Sequence, residues 1–134
     1  AVTNCIPDLK PRKAGLFSTR KEKSEMKSII LGTYNEKGLE GLTNSSFAKR
    51  EAAAKTACEA AGAKLTDMFF TIGSSDVVGI MEVDSVEQAI GLKEAFMASG
   101  VWKHIHLLHE FDVDAAIAAA NKVRGIYQPA GQES

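Results

Sequence analysis

The chain has 134 residues, which is the size of one ordinary domain. Hydrophobic residues make up 45% of it, enough for a single core, and no apolar run is long enough to cross a membrane. The formal net charge of -1 gives no overall signal for nucleic-acid binding. We therefore expect one soluble, intracellular globular domain.

Charge is distributed unevenly along the chain. Residues 1–25 carry six basic and three acidic side chains, whereas the remainder carries ten basic and fourteen acidic ones. This segment also holds two of the three prolines and few large apolar residues, so we expect an extended basic arm before a domain that begins at Met26. The arm is either a solvated tail or a docking segment for a larger assembly. Docking would use its basic side chains, which are Lys10, Arg12, Lys13, Arg20, Lys21 and Lys23. A plastid or mitochondrial location is compatible with such an extension.

The folded domain, predicted over residues 26–125, begins with a strand. Residues 28–34 form a short apolar run that is typical of a strand buried on both faces. The segment 35–46 contains two glycines, and we expect a loop with at most one helical turn. Ser45 or Ser46 is a suitable N-cap for a helix that starts directly afterwards.

An alanine-rich helix is predicted over residues 47–61, with Gly62 as its C-terminal stop. Ala54 and Cys58 lie on its predicted inner face, whereas Arg50 is expected to stay in water. Because Cys58 sits among alanines, we expect a small core residue rather than a reactive thiol.

Two strands joined by a tight turn follow the alanine-rich helix. Residues 65–72 and 77–83 are rich in β-branched and aromatic side chains, and the GSSD segment between them is suited to a hairpin loop. Gly73 is expected to supply a backbone angle that a β-carbon would disfavour. The Asp76 carboxylate is expected to accept hydrogen bonds from turn N–H groups such as that of Ser74.

The remaining elements complete a recognisable order. We expect a helix over residues 85–99, a strand over 101–111, a last helix over 112–124 and a polar tail over 126–134. The predicted fold is therefore α+β, a ferredoxin-like βαββαβ antiparallel sheet with an added C-terminal helix. The inward side chains of that last helix are predicted to be Val113, Ala116, Ile117 and Ala120.

Alternation along the fourth strand places Trp102, His104, His106 and Leu108 on one face of the sheet. Helices cover only the opposite face in this fold, so a mixed and partly apolar face is expected to pair with a second subunit. We therefore predict an oligomer interface formed by Trp102, Leu108 and Phe69.

His104 and His106 are the first candidates for a ligand site. Two positions apart on a strand, their side chains lie roughly 7 Å apart on one face. Such a pair can bind a metal, act as acid and base, or simply occupy a hydrated subunit interface. A metal would need a third ligand, and Glu110 is expected to be too far along the strand. Tyr34 can donate a hydrogen bond to a bound carbonyl, or it can pack with its hydroxyl in water. No Cys/His set has zinc-ligand spacing, so we predict no metal site.

From Met26 to about Asp114 the chain resembles the GYD domain family, small proteins of the dimeric α/β-barrel group. The similarity runs through YNEKGLEGL and through KREAAAKTACEAAGAKLTDMFFTIGSSDVVGIMEVDSVEQA. The family's Gly-x-Tyr-Asp type of turn is matched at Gly73 and Asp76, whereas Ser75 stands at the tyrosine position. The resemblance implies a dimer or higher oligomer of the dimeric α/β-barrel type. It implies no established reaction and points to no particular cofactor.

Two functions are compatible with these features. The first is a small oligomeric, non-enzymatic module, a structural or accessory subunit that docks to a larger assembly through the basic arm. The absence of a recognisable catalytic set favours it. The alternative is a small-molecule-binding or catalytic barrel with a site around His104, His106 and Tyr34. A barrel filled by its aromatic and leucine side chains would favour the first function, and an open pocket that reaches both histidines would favour the second.

Overall fold

The computed structural model describes residues 25–133, which form four strands and four helices. The strands make one antiparallel sheet in the order β2-β3-β1-β4. This is the predicted α+β ferredoxin-like fold with an added C-terminal helix, and that prediction is confirmed. The elements are β1 (Met26–Tyr34), α1 (Glu36–Thr43), α2 (Phe47–Ala60), β2 (Lys64–Phe70), β3 (Val77–Val83), α3 (Val86–Ala98), β4 (Trp102–His109) and α4 (Val113–Val123).

β1 lies in the middle of the sheet, between β3 and β4. Its burial alternates strictly, because helices cover one face of the sheet and the other face is left partly exposed. The prediction that this strand is buried on both faces is therefore wrong. The buried positions are Ser28, Ile30, Gly32 and Tyr34, and the partly buried ones are Ile29, Leu31 and Thr33.

The core lies between the sheet and helices α2 and α3. Cys58 belongs to it and is 4% exposed, which confirms the prediction of a small core residue. Burial raises the pKa of its thiol above the ordinary value, so the side chain stays protonated near neutral pH. The other buried members are Ile30, Ala63, Met81, Val83, Ala89, Leu92 and Ile105.

α1 is a regular eight-residue helix where the sequence predicts a loop, and that prediction is wrong. The Asn35 side chain caps the helix by accepting a hydrogen bond from the Gly38 N–H at 2.9 Å. Gly38 is present for close packing, since a Cβ there would meet the Val101 carbonyl oxygen at 2.2 Å and Tyr34 Cδ1 at 2.6 Å. Gly38, which suggested a loop, instead allows α1 to pack closely against Tyr34 of β1 and against Val101.

The central hairpin has the predicted strands, although β2 ends at Phe70 rather than at residue 72. The Thr71 N–H donates to the Asp76 carbonyl at 2.8 Å and closes the turn. Gly73 has a φ of +135°, a region that other residues rarely adopt. The turn reaches back to β1, where the Thr33 hydroxyl donates to the Ser74 carbonyl at 3.0 Å.

An irregularity between β1 and β4 changes the side of the sheet that Trp102 occupies. Thr33 is paired with His104 but Tyr34 is paired with Trp102, so the pairing skips Lys103. Trp102 therefore joins Tyr34 on the helix-covered face. The prediction that it shares a face with His104 and Leu108 is wrong, because it assumed uninterrupted alternation.

α4 has nearly the predicted bounds, and the Asp112 carboxylate caps it by accepting from the Ala115 N–H at 3.1 Å. All residues of α4 are nevertheless exposed. The prediction that an apolar stripe of this helix faces inward is therefore wrong. Val113 and Ile117, two members of that stripe, are both more than half exposed.

The basic arm, with its six predicted docking residues, lies outside the described residues apart from Glu25. The described part starts essentially with β1 at Met26. None of the helices between residues 25 and 133 has the length and hydropathy of a membrane-spanning helix.

Candidate functional site

A cavity of about 370 Å³ lies between the sheet and helices α2 and α3. Its wall is mainly aliphatic, aromatic and thioether, with Met68 and Met81 from the sheet and Phe96 from α3. Methionine side chains are flexible and polarisable, so such a wall can adapt to ligands of irregular shape. The polar side chains on the wall are few, and the largest of them are Tyr34 and Arg50.

Tyr34 and Trp102 form one side of this cavity as a stacked pair. Their ring centroids are 4.2 Å apart and their planes differ by 14°. Gly32 makes room for the indole, since a Cβ at this position would meet Trp102 Cζ3 at 2.6 Å. The glycine, the skipped Lys103 and the stack together fix where the indole lies.

The hairpin turn holds the end of β1 that carries Tyr34. The Tyr34 N–H donates to Asp76 Oδ2 at 3.0 Å, and the Asp76 N–H donates to the Gly32 carbonyl at 2.8 Å. The carboxylate thus accepts from a neighbouring strand, whereas the sequence suggested a turn N–H such as that of Ser74. The Gly-x-x-Asp turn therefore positions the cavity tyrosine through the backbone.

The Tyr34 hydroxyl is neutral at physiological pH, as in any tyrosine, and its surroundings raise its pKa further. Burial raises its pKa above the ordinary value, Arg50 opposes that shift through charge and a side-chain hydrogen bond, and Asp76 adds to it. The phenol therefore keeps its proton at neutral pH, as the predicted hydrogen-bond donor to a ligand would require.

Arg50 is the site residue that the sequence analysis missed. It projects from α2 into the cavity, although it was expected to stay in water. Its spacing gave a signal, because Arg50, Ala54 and Cys58 recur every four residues and so share one helix face. All three line the cavity.

A second cavity, of about 220 Å³, adjoins the first. Tyr34, Arg50 and Val101 contribute to both walls. The second cavity is more polar, since Lys37 from α1 and Ser45 before α2 also line it.

The structure separates the two histidines from Tyr34. The ring centroids of His104 and His106 are 4.8 Å apart. On β1, His104 is paired with Thr33 and His106 with Leu31. Those partners lie on the uncovered face, so His104 and His106 point away from both cavities. The predicted site around His104, His106 and Tyr34 is therefore not brought together.

No group of three or more His, Cys, Asp or Glu side chains that could hold a metal ion occurs among residues 25–133. Glu110 instead accepts a hydrogen bond from the Lys27 N–H. His109 lies on the helix-covered face, where its Nδ1 is hydrogen-bonded to the Ser28 hydroxyl. Neither side chain is joined to the histidine pair.

The uncovered side of the sheet, here called the open face, carries two rows of mainly apolar side chains. Strand register places Phe69, Val78 and Leu31 in one row with His106, and Ile80, Ile29 and Leu108 in the next row with Asp67. Phe69 is 41% and Leu108 51% exposed. Of the three predicted interface residues, these two share this face and Trp102 does not.

The sequence pattern of the GYD domain family matches residues 29–120. No curated protein and no solved structure matches the chain. The matched segment includes the hairpin turn with Gly73 and Asp76, as well as Tyr34, Arg50 and Trp102. The match spans more than half of the 134 residues, and the chain belongs to the GYD domain family.

Proposed function

We propose that this protein binds a small, predominantly apolar molecule in the larger cavity. The observation that carries the proposal is a space of about 370 Å³ with an adaptable apolar wall and few polar groups. Ligand pockets in proteins have about 300–1,000 Å³ and a similar composition. The proposal keeps Tyr34 from the predicted ligand site and replaces the two histidines with Arg50 and Trp102.

The titratable groups on the cavity wall favour binding over catalysis. Burial raises the pKa of both the Tyr34 hydroxyl and the Cys58 thiol, so neither is an ionised nucleophile or a base near neutral pH. Arg50 carries a guanidinium group, which has a positive charge and five N–H donors. The wall therefore supplies hydrogen-bond donors and a positive charge, which orient a ligand.

Trp102 provides a direct signal for the test, because it is the one tryptophan of the chain and lines the cavity. Octanol has an apolar chain and no anionic group, so it is a suitable probe of an apolar cavity. We expect it to change the Trp102 emission in a saturable manner and to raise the thermal midpoint of the full chain. A wild type that shows neither response would contradict the proposal.

A pair of matched variants locates the binding. Ala54 lines the cavity from α2, so Ala54→Phe should fill part of the space and weaken octanol binding. Ala52→Phe adds the same ring to an exposed position of the same helix outside the lining. Binding that is lost in the first variant and kept in the second supports the cavity, and equal binding in both would contradict it.

We also propose that the open face associates with a second copy of the chain. Besides its apolar rows, this face carries a charged row at one end, formed by Lys64, Glu82 and Lys27 in strand order and by Glu110, which follows β4 and is hydrogen-bonded to Lys27. A row of alternating charges is complementary to the same row in reverse order, which is how two copies related by a two-fold axis parallel to the strands would meet. The histidine pair would then lie within the interface, as one of its predicted roles requires.

Docking of the basic arm to a larger assembly is a separate proposal. It is supported by the charge contrast between residues 1–25 and the remainder of the chain. An accessory role in such an assembly and a plastid or mitochondrial location both rest on this segment. Binding in the cavity is compatible with either.

A further inference from the structure

We propose that the ligand is an amphipathic anion, with its apolar body in the larger cavity and its anionic head beside Arg50 and Lys37. This inference rests on the proposed ligand-binding function and specifies the ligand class. A carboxylate and a phosphate monoester share the required chemistry, which is a set of negatively charged oxygens on an apolar body.

The two cavities share part of their walls. Tyr34, Arg50 and Val101 line both, so the apolar space and the polar space meet at these residues. One side has about 370 Å³ and a mainly apolar wall, and the other has about 220 Å³ and more polar groups. A ligand that uses both needs an apolar body and a polar head.

Among the described residues, the charged side chains that line the two cavities are basic. Arg50 and Lys37 line the smaller cavity, and no acidic side chain within residues 25–133 lines either cavity. Ser45, which adds a hydroxyl donor, immediately precedes the N-cap of α2, so the positive end of that helix dipole lies nearby. A positive wall with donors selects an anion over a cation or a neutral head.

Tyr34 supplies a further hydrogen-bond donor for the head of such a ligand. This residue lines both cavities, its hydroxyl is protonated at neutral pH as in any tyrosine, and burial raises its pKa further. A neutral phenol can donate a hydrogen bond to an anionic oxygen, whereas a phenolate would repel it. A hydrogen bond from the Tyr34 hydroxyl would therefore help to hold the anionic head at the position that Arg50 and Lys37 indicate.

The test compares octanol, octanoate and octyl phosphate on the full chain at pH 7, with Trp102 emission as the readout. We expect at least one of the two anions to bind about tenfold more tightly than octanol. Its affinity should fall as salt is raised, whereas that of octanol should not. Which anion is favoured distinguishes a carboxylate ligand from a phosphate ligand.

Lys37→Gln is the variant that tests the head-group site without disturbing the core, because Lys37 is exposed. We expect it to weaken binding of the preferred anion about threefold to tenfold and to leave octanol binding unchanged. Lys55→Gln removes the same charge from an exposed position of α2 outside both linings and should change neither.

The outcomes separate this inference from the underlying function. Octanol binding without any preference for an anion would overturn the inference and leave the proposed function standing. An anion preference that Lys37→Gln does not reduce would also overturn it. If octanol changes neither the Trp102 emission nor the thermal midpoint, the proposed function itself fails, whether or not an anion binds.

Discussion

The rings of Tyr34 and Trp102 are stacked, with centroids 4.2 Å apart, although they belong to the end of one strand and the start of another. The stack exists because the pairing of β1 with β4 skips Lys103 and turns the indole to the helix-covered face. It closes one side of the larger cavity. A register irregularity of one residue therefore decides whether the tryptophan belongs to the cavity or to the open face.

Substitution of Gly32 by alanine should displace Trp102. The added Cβ would lie 2.6 Å from Trp102 Cζ3, so the ring or the strand must move, at a cost of about 1–3 kcal/mol. Urea unfolding and the Trp102 emission maximum measure the two effects. Gly79→Ala is the control, because its Cβ would have only an ordinary contact, 3.9 Å from Leu65 Cδ1. An unchanged emission in Gly32→Ala would show that the ring does not lie over the glycine.

The Asn35 side chain should help to hold α1 against the segment that precedes β4. Its side chain caps α1 and also donates to the Gly100 carbonyl at 2.8 Å. Asn35→Ala removes both hydrogen bonds and should lower the free energy of unfolding by about 1–3 kcal/mol. Asn35→Ser keeps an N-cap acceptor and removes the hydrogen bond to the Gly100 carbonyl, so its loss of stability should be smaller. Equal stability of all three proteins would contradict this role.

The pH dependence of stability should reveal the buried phenol. Because burial raises the pKa of Tyr34, its contribution is fully present below the unfolded value of about 10 and is lost as pH rises through the folded value. Wild type and Tyr34→Phe should therefore show a constant difference in stability from about pH 7 to 9. Above about pH 10 the wild type should lose more stability than the variant. Parallel curves at high pH would indicate a solvated hydroxyl.

A charge in the open face should prevent self-association. Leu108 is 51% exposed in the single chain, so Leu108→Asp should leave its fold intact and still place a carboxylate within the proposed interface. Light scattering should give a larger species for the wild type and a single chain for the variant. Ile72→Asp is the control, since Ile72 is fully exposed and lies outside the strands. A wild type that is monomeric at micromolar concentration would refute the association.

The regular elements were predictable because their signals are local. Capping by Ser46, the alanine-rich helix and the β-branched hairpin strands depend on neighbours in sequence, and the strand order follows from the βαββαβ pattern. α1 was not predicted because its two glycines lower helix propensity. Gly38 is nevertheless needed in the helix, because a Cβ at this position would collide with the Val101 carbonyl. Only the folded chain brings that carbonyl near.

The candidate site was predictable only in part. Tyr34 was identified, but its neighbours were not, since the skipped residue in β4 and the inward position of Arg50 depend on tertiary packing. His104 and His106 were predicted as site residues because alternation along the fourth strand places them on one face. In the structure that face is the open face, away from the cavities. A cavity has no sequence signature of its own, because it arises from the spacing between α2, α3 and the sheet.

The most direct measurement is the crystal structure of the full chain with ω-bromooctanoate, in which anomalous scattering locates the bromine. We expect a bromine peak in the larger cavity near Met68, Met81 and Phe96, with the carboxylate beside Arg50. A cavity without any ligand density at a concentration that saturates the Trp102 signal would contradict it. So would a bromine found only on the open face.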